Sequence, residues 1–434
     1  DPSEIYTYTA NGLLASITDG NLNTTLFEYD GLDRLTAKQY PDETRELFTH
    51  DAAGNLIEKQ TRAGDTITFA YDPLNRLSEK ATPEKTVDFS YDLAGRMVSA
   101  DDGTTRLSYT YDTAARLVSV ARSDGKVIGK AYDDAGNLIQ LTYPDGYYLN
   151  YSYDSLNRLE EIVESGTTSL AAYTYDSLSR RASTTFDNGV TTTLSYEPDN
   201  DISAMAFQFS GESVTFDYTY DQAGNRISFA SADDRFVYNP LANETKTYTV
   251  NNLNQYTGIN STTPAYDLNG NMISKGSVAF DYDSENRLVE AITPGATSSY
   301  TSDPIGRRRS KTVNAATTSY LYDGGNVIME YDQTGTMAKR FVYGPMIDEP
   351  VCMITPSARY YYHADALGSA VALSNTSGTL AETYAYSPFG KTNGSSTLGN
   401  PYLFTGRRID SESGLYYYRA RHYDTQEGRF MQPD

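Results

Sequence analysis

The sequence contains no tryptophan and a single cysteine, Cys352. One thiol cannot form an internal disulfide and fits no metal-ligand spacing. Basic residues are scarce: 35 Lys and Arg against 57 Asp and Glu leave a formal charge of −22. That balance lacks the basic footprint that a nucleic-acid backbone requires, and it disfavours an anionic membrane surface. No apolar run reaches the length that spans a bilayer. No leader peptide is recognisable. Beginning at Asp1-Pro2, one step before a repeat, the sequence reads as an excised piece, so its targeting is not legible. The scarcity of cysteine does not place it in the cytosol, and no cofactor is expected.

Tyrosine is abundant, 39 residues against 15 Phe, and it recurs with a period. An anchor residue followed by Asp, or by Thr9, Glu197 or Asn251 in three cases, returns about every 20 to 21 positions. The anchors are Tyr8, Tyr29, His50, Tyr71, Tyr91, Tyr111, Tyr132, Tyr153, Tyr175, Tyr196, Tyr220, Val250, Tyr266, Tyr282, Ser302 and Tyr322. A fixed period over most of a chain means a repeat architecture. Before each anchor the apolar residues alternate, as in Ile67-Thr68-Phe69-Ala70-Tyr71, the signature of a strand with one apolar face. After it come turn formers: Asp72 to accept backbone N–H groups, Pro73 to preset φ, and Asn75 to take the left-handed conformation. The fourth position past each anchor is Gly at 12, 54, 95, 136, 224, 270 and 306, and Asn at 75, 157, 200, 254, 286 and 326. Only Asp33, Ala115 and Ser179 depart from this pattern. Each repeat is therefore expected to be a β-hairpin with a left-handed corner.

The fold class expected is all-β: a continuous ribbon of antiparallel hairpins curling into a spiral, a partial or hollow shell. The arginine before each return strand (Arg34, Arg76, Arg96, Arg116, Arg158, Arg287) is expected either to pair with the Asp of a neighbouring repeat or to stay exposed and bonded to water. Sixteen hairpins at about 4.8 Å per strand make a ribbon about 150 Å long, roughly one turn of an open spiral with exposed edges. Spacing stretches between Tyr196 and Val250 and shortens between Val250 and Tyr282, and the stretch 229–247 reads as a longer connection or an insertion over one face. The repeats are assigned to 1–346. Residues 347–359, with Pro350, Cys352 and Pro356, read as a linker, which makes Cys352 a bystander. One Asp per turn lacks the clustered ligands of a calcium loop, so those residues read as turn caps.

Residues 360–434 carry a run from Tyr360 to Ser369, then Tyr384-Ala385-Tyr386-Ser387-Pro388-Phe389-Gly390 and Phe404-Thr405-Gly406-Arg407-Arg408. Gly414-Leu415-Tyr416-Tyr417-Tyr418-Arg419-Ala420-Arg421-His422-Tyr423-Asp424 and Gly428-Arg429-Phe430 follow. This ordered set resembles the RHS-repeat-associated core domain, and the upstream hairpins resemble the YD repeats that precede it. The resemblance implies a secreted or cell-surface bacterial protein, a polymorphic toxin or the C component of an insecticidal Tc complex. In such proteins a spiral shell encloses a variable C-terminal toxin. It also implies two partners: that toxin cargo, and further N-terminal repeats or a companion shell component. The family's core acts as an aspartyl autoprotease, and Arg421 and Asp434 fall on its first two positions. An aspartyl dyad needs a second carboxylate, absent up to Asp434, so the chain is expected to be proteolytically inert and not itself an enzyme. His363, Asp365 and Ser369 read as structural, because closeness in sequence is not the geometry of a triad. An acidic wall is further expected to hold a basic cargo better than an acidic one. The alternative reading is a surface adhesin or carbohydrate-binding ribbon, with rows of tyrosine as sugar platforms and no cargo.

Overall fold

A computed structural model describes residues 4–240 and 245–433. One corner shows how the repeat folds. Strand Thr66–Tyr71 turns back into Leu77–Ala81. Asp72 Oδ1 accepts the N–H groups of Leu74 and Arg76 at 2.8 and 3.0 Å, and the Asn75 N–H donates to the Asp72 carbonyl at 2.9 Å. Asn75 takes φ 58°. Ala70 then faces Glu79 while Tyr71 faces Leu77, a one-residue bulge. This is the hairpin loop in which a left-handed residue closes a type I turn. Positive φ recurs at every expected corner but one, including Asp33, Ala115 and Ser179. The exception is Asn326, which opens strand Asn326–Tyr331; Gly324, at φ 56°, takes the left-handed role in a tighter turn.

The arginines do not behave as expected. Each pairs with the Asp of its own corner, not with the side chain of a neighbouring one. Arg76 Nε donates to Asp72 Oδ2 at 2.7 Å, and its Nη1 reaches the Asp92 carbonyl of the next repeat at 3.0 Å. Its guanidinium lies 4.7 Å from the Tyr91 ring centroid. The Tyr91 hydroxyl donates back to the Leu77 carbonyl at 2.9 Å. The same Arg-over-Tyr contact joins Arg96 to Tyr111, Arg116 to Tyr132, Arg158 to Tyr175, Arg180 to Tyr196 and Arg307 to Tyr322. At these corners Asp, Arg and Tyr thus form one chain of contacts that carries one corner into the next, whereas Asn55 and Asn137 reach Asn75 and Asn157 instead.

This chain makes the corners sensitive to acid. At Asp30 the hydrogen bonds from the Arg34 side chain, then from its backbone N–H, pull the carboxyl down to about 2 from an ordinary 3.8. A depressed pKa contributes stability that is present above pH 3.8 and is lost as pH falls through about 2. Amide exchange at Arg34 should therefore stay slow down to about pH 4 and accelerate between pH 4 and 2. Loss of protection already at pH 5–6 would contradict this assignment.

Among the described residues the strands form four sheets, of 22, 2, 13 and 4 strands. The first runs from Ile5–Tyr8 to Arg226–Ser231 and the 13-stranded sheet from Ala265–Tyr266 to Leu380–Thr383, with a two-stranded hairpin between them. Each strand pairs antiparallel with its successor, and Ile5–Tyr8 and Arg226–Ser231 each keep one unpaired edge, so the first sheet does not close. The only helical turns among these residues are short 3₁₀ segments at Asp234–Phe236 and Phe404–Gly406. Part of the stretch 229–247 lies outside the described residues.

The proposed linker is instead built into the wall. Pro350–Ile354 is a buried strand paired on one side with Met337–Tyr343 and on the other with Arg359–Ala364. Cys352 is fully buried there, and burial pushes its thiol well above the ordinary range. The hairpin pattern also continues past Tyr322. Asp332, Asp365 and Asn375 cap corners closed by Gly335, Gly368 and Gly378, all with positive φ.

The ribbon returns onto itself. The principal core joins first-sheet residues such as Ile128, Leu149, Ile162 and Phe207 to Leu321, Met329, Val342 and Tyr361 of the 13-stranded sheet. Ion pairs lace the two runs: Lys80 with Glu285 at 2.6 Å, Lys130 with Asp323 at 2.5 Å, and Arg181 with Glu349. Both faces of the first sheet carry charge of both signs. Phe27, Phe48 and Phe69 stand opposite Lys38, Lys59 and Lys80, with Glu46 on the same face, while Glu28, Glu58 and Glu79 share the other face with Arg45.

Candidate functional site: the C-terminal clasp

Residues 408–430 form the four-stranded sheet of Arg408–Asp410, Leu415–Tyr418, Arg421–Asp424 and Arg429–Phe430. Two arginines, Arg308 buried and Arg408 partly buried, hold it to the wall from opposite directions. Arg308 projects from the wall into the C-terminal sheet. It lies between the rings of Tyr300 and Tyr417, 4.2 and 4.1 Å from their centroids. It donates to Asp410 Oδ1 at 2.8 Å and to His422 Nε2 at 2.6 Å. Arg408 projects the other way, pairs with Glu330, and lies over Tyr320 and Tyr402. Lys311 completes the first cluster through Asp410 at 3.1 Å and Glu412 at 2.9 Å.

Arg308, Asp410 and His422 are 5%, 2% and 3% exposed. Burial opposes the charged form of Asp410, but Arg308 and Lys311 outweigh it and hold the carboxyl well below the usual range. Burial, with help from Arg308, lowers His422 to about 3, so the ring is neutral at ordinary pH. An arginine can only donate, which makes Nε2 the acceptor and leaves the ring proton on Nδ1. The cluster is thus an anion held by two cations beside a neutral imidazole, a clasp without a free acid or base.

Of the residues singled out from the sequence, Arg421 opens the third C-terminal strand opposite Tyr418, with its guanidinium 3.9 Å from the Phe430 centroid. Asp434 lies outside the described residues. The chain just before it is tied to the same strand: His422 N–H donates to Gln432 Oε1 and Met431 N–H to the His422 carbonyl, both at 2.8 Å. His363, Asp365 and Ser369 do not converge. His363 Nε2 lies 2.8 Å from Ser374 Oγ, Asp365 caps its corner, and Ser369 Oγ accepts the Thr405 N–H at 3.1 Å. The sequence reading missed Arg308 and Arg408. The signal was present in Arg308, which occupies the return-strand position where Leu usually stands.

A ribbon of tyrosine-capped hairpins, folded back on itself and clasped by its own C-terminal sheet, defines a shell-type repeat protein. The teneurin YD-shell family profile matches residues 45–148 and 189–434, and the RHS repeat profile matches 8–45 and 132–169. The chain belongs to the teneurin YD-shell family. It is 32% identical over 232 residues to the tRNA nuclease WapA of Bacillus subtilis, covering 51% of this chain and 10% of that protein. It is 26% identical over 212 residues to double-stranded DNA deaminase toxin A of Burkholderia cenocepacia, covering 39% of this chain and 15% of that protein. The chain therefore spans a small fraction of these relatives. Its fold matches the crystal structure of TcdB2–TccC3 with a TM-score of 0.78 at 17% identity, over 99% of this chain and 29% of that one.

Proposed function

We propose that this chain is the wall of a toxin-type shell that encloses and delivers a polypeptide cargo joined to its C-terminus, in a secreted or cell-surface bacterial protein. The observation that supports this reading best is the clasp. Arg308 and Arg408 fix the C-terminal sheet on the wall's face, so a polypeptide leaving it starts against that wall. By resemblance, Arg421 and Asp434 contribute to self-cleavage that frees the cargo, with a second carboxylate supplied beyond Asp434. Further repeats or a companion component would complete the enclosure. On the Phe-bearing face Lys59 pairs with Glu46 and Lys80 with Glu285, so that face does not by itself select a cargo by the sign of its charge.

The adhesin reading is less well supported. Tyr91, Tyr111, Tyr132, Tyr175 and Tyr196 carry guanidinium groups over their rings and donate their hydroxyls to backbone carbonyls. They are not free platforms for sugars. The test is a reporter polypeptide appended after Asp434 and exposed to protease. Protection that depends on Arg308 is the expected result, and a reporter cut at the rate of the free polypeptide overturns the reading.

A further inference from the structure

Between the first sheet and the returning run lies an open cavity of about 950 Å³. It is near the upper end of the range of small-molecule sites. Leu141, Leu159, Leu194, Ile202, Met205 and Ile328 line it, and polar side chains such as Asn157, Arg158, Asn200 and Asp323 interrupt that apolar wall. The tyrosines in the lining present rings but few hydroxyls. Tyr153, Tyr175, Tyr196 and Tyr343 donate theirs to the carbonyls of Leu138, Leu159, Arg181 and Val327, and Tyr143 donates to Phe341. Tyr362 donates to Asn400. The hydroxyl of Tyr151 is the exception, with no hydrogen bond among the described residues. At the mouth, the loop between Gly344 and Glu349 leaves Met346 and Ile347 64% and 84% exposed. The base of that loop is pinned by Asp348 to Arg407 at 2.8 Å and to Arg419 at 2.7 Å, and by Glu349 to Arg181.

This lining discriminates between kinds of occupant. An extended peptide brings an N–H and a C=O at every residue, and each needs a partner once desolvated. The strands here have none to offer, because Tyr148–Tyr153 and Thr191–Tyr196 are paired along both edges. An unbranched hydrocarbon with one polar end needs partners at that end alone. We propose that this cavity binds the aliphatic chain of a single-headed amphiphile, a fatty acid or fatty alcohol, with the Tyr151 hydroxyl receiving the head. The cavity wall supplies the affinity and Met346 and Ile347 cover the tail.

Because the chain lacks tryptophan, Met346→Trp places a lone indole at the mouth as a reporter. Titration with palmitate and with dodecanol should give a saturable blue shift of its emission. In calorimetry on the unlabelled chain, Tyr151→Phe should weaken binding about three- to tenfold, the loss of one hydrogen bond. Met205→Trp, which pushes an indole into the apolar part of the cavity, should weaken it; Ile202→Phe serves if that variant does not fold. Absence of saturable binding of either probe overturns the proposal. So does binding unchanged by Met205→Trp and Ile202→Phe, or tighter binding of an unstructured leucine-rich peptide. The protease-protection test of the shell is unaffected by any of these outcomes.

Discussion

Arg308→Ala should loosen the C-terminal sheet from the wall and cost about 3–5 kcal/mol, the penalty for removing one partner of a buried ion pair. Alanine leaves Asp410 facing Lys311 alone, takes away the donor to His422 Nε2, and empties the space between Tyr300 and Tyr417. Arg308→Lys should recover only part of this. A single ammonium cannot bridge Asp410 and His422 while lying flat between two rings. Urea midpoints and amide exchange across 408–430 measure the effect. Exchange should rise there and stay unchanged across Thr66–Ala81, which the clasp does not touch. A loss below about 1 kcal/mol, the range of an exposed pair, would mean that the clasp does not hold the sheet.

The second large effect comes from a single methyl group. Gly406 has φ 66°, and a Cβ there would overlap the Asp348 carbonyl oxygen. Gly54 has φ 92° with nothing within 4 Å of the same added atom. Gly54→Ala should therefore cost about 1–2 kcal/mol, the left-handed penalty alone. Gly406→Ala adds a collision with backbone and should cost about 3 kcal/mol or more. It also pushes on Asp348, which pins the loop over the cavity to Arg407 and Arg419. Equal midpoints for the two variants would contradict this packing of Gly406 against the loop.

What the sequence discloses follows from how local each interaction is. The corners were legible because steric demand at one position after each anchor selects Gly or Asn whatever the surroundings. At Asp33, Ala115 and Ser179 the hydrogen bonds of the corner impose the same geometry on less suited residues. At Asn326 they do not, because the adjacent Gly324-Gly325 pair allows a shorter turn. The arginines were assigned to the wrong carboxylate because a four-residue reach within a bulged corner is as short as the reach across strands, and spacing cannot rank the two. Pro350 and Pro356 read as linker punctuation. Yet Pro350 starts its strand, where a missing N–H is tolerated, and Val351, Cys352 and Met353 are buried on both faces. The clasp was least legible. Arg308 meets Asp410 and His422 across about a hundred residues, and nothing in a repeat unit encodes a partner at that distance.

The ribbon doubles back so that its second run packs on its first. Zero-length carbodiimide coupling of lysine to carboxylate, followed by peptide mass spectrometry, reads this directly. The expected products join Lys80 to Glu285 and Lys130 to Asp323, pairs 2.6 and 2.5 Å apart in space and far apart in sequence. Products confined to neighbouring hairpins, such as Lys59 to Glu46, would show that the two runs do not meet.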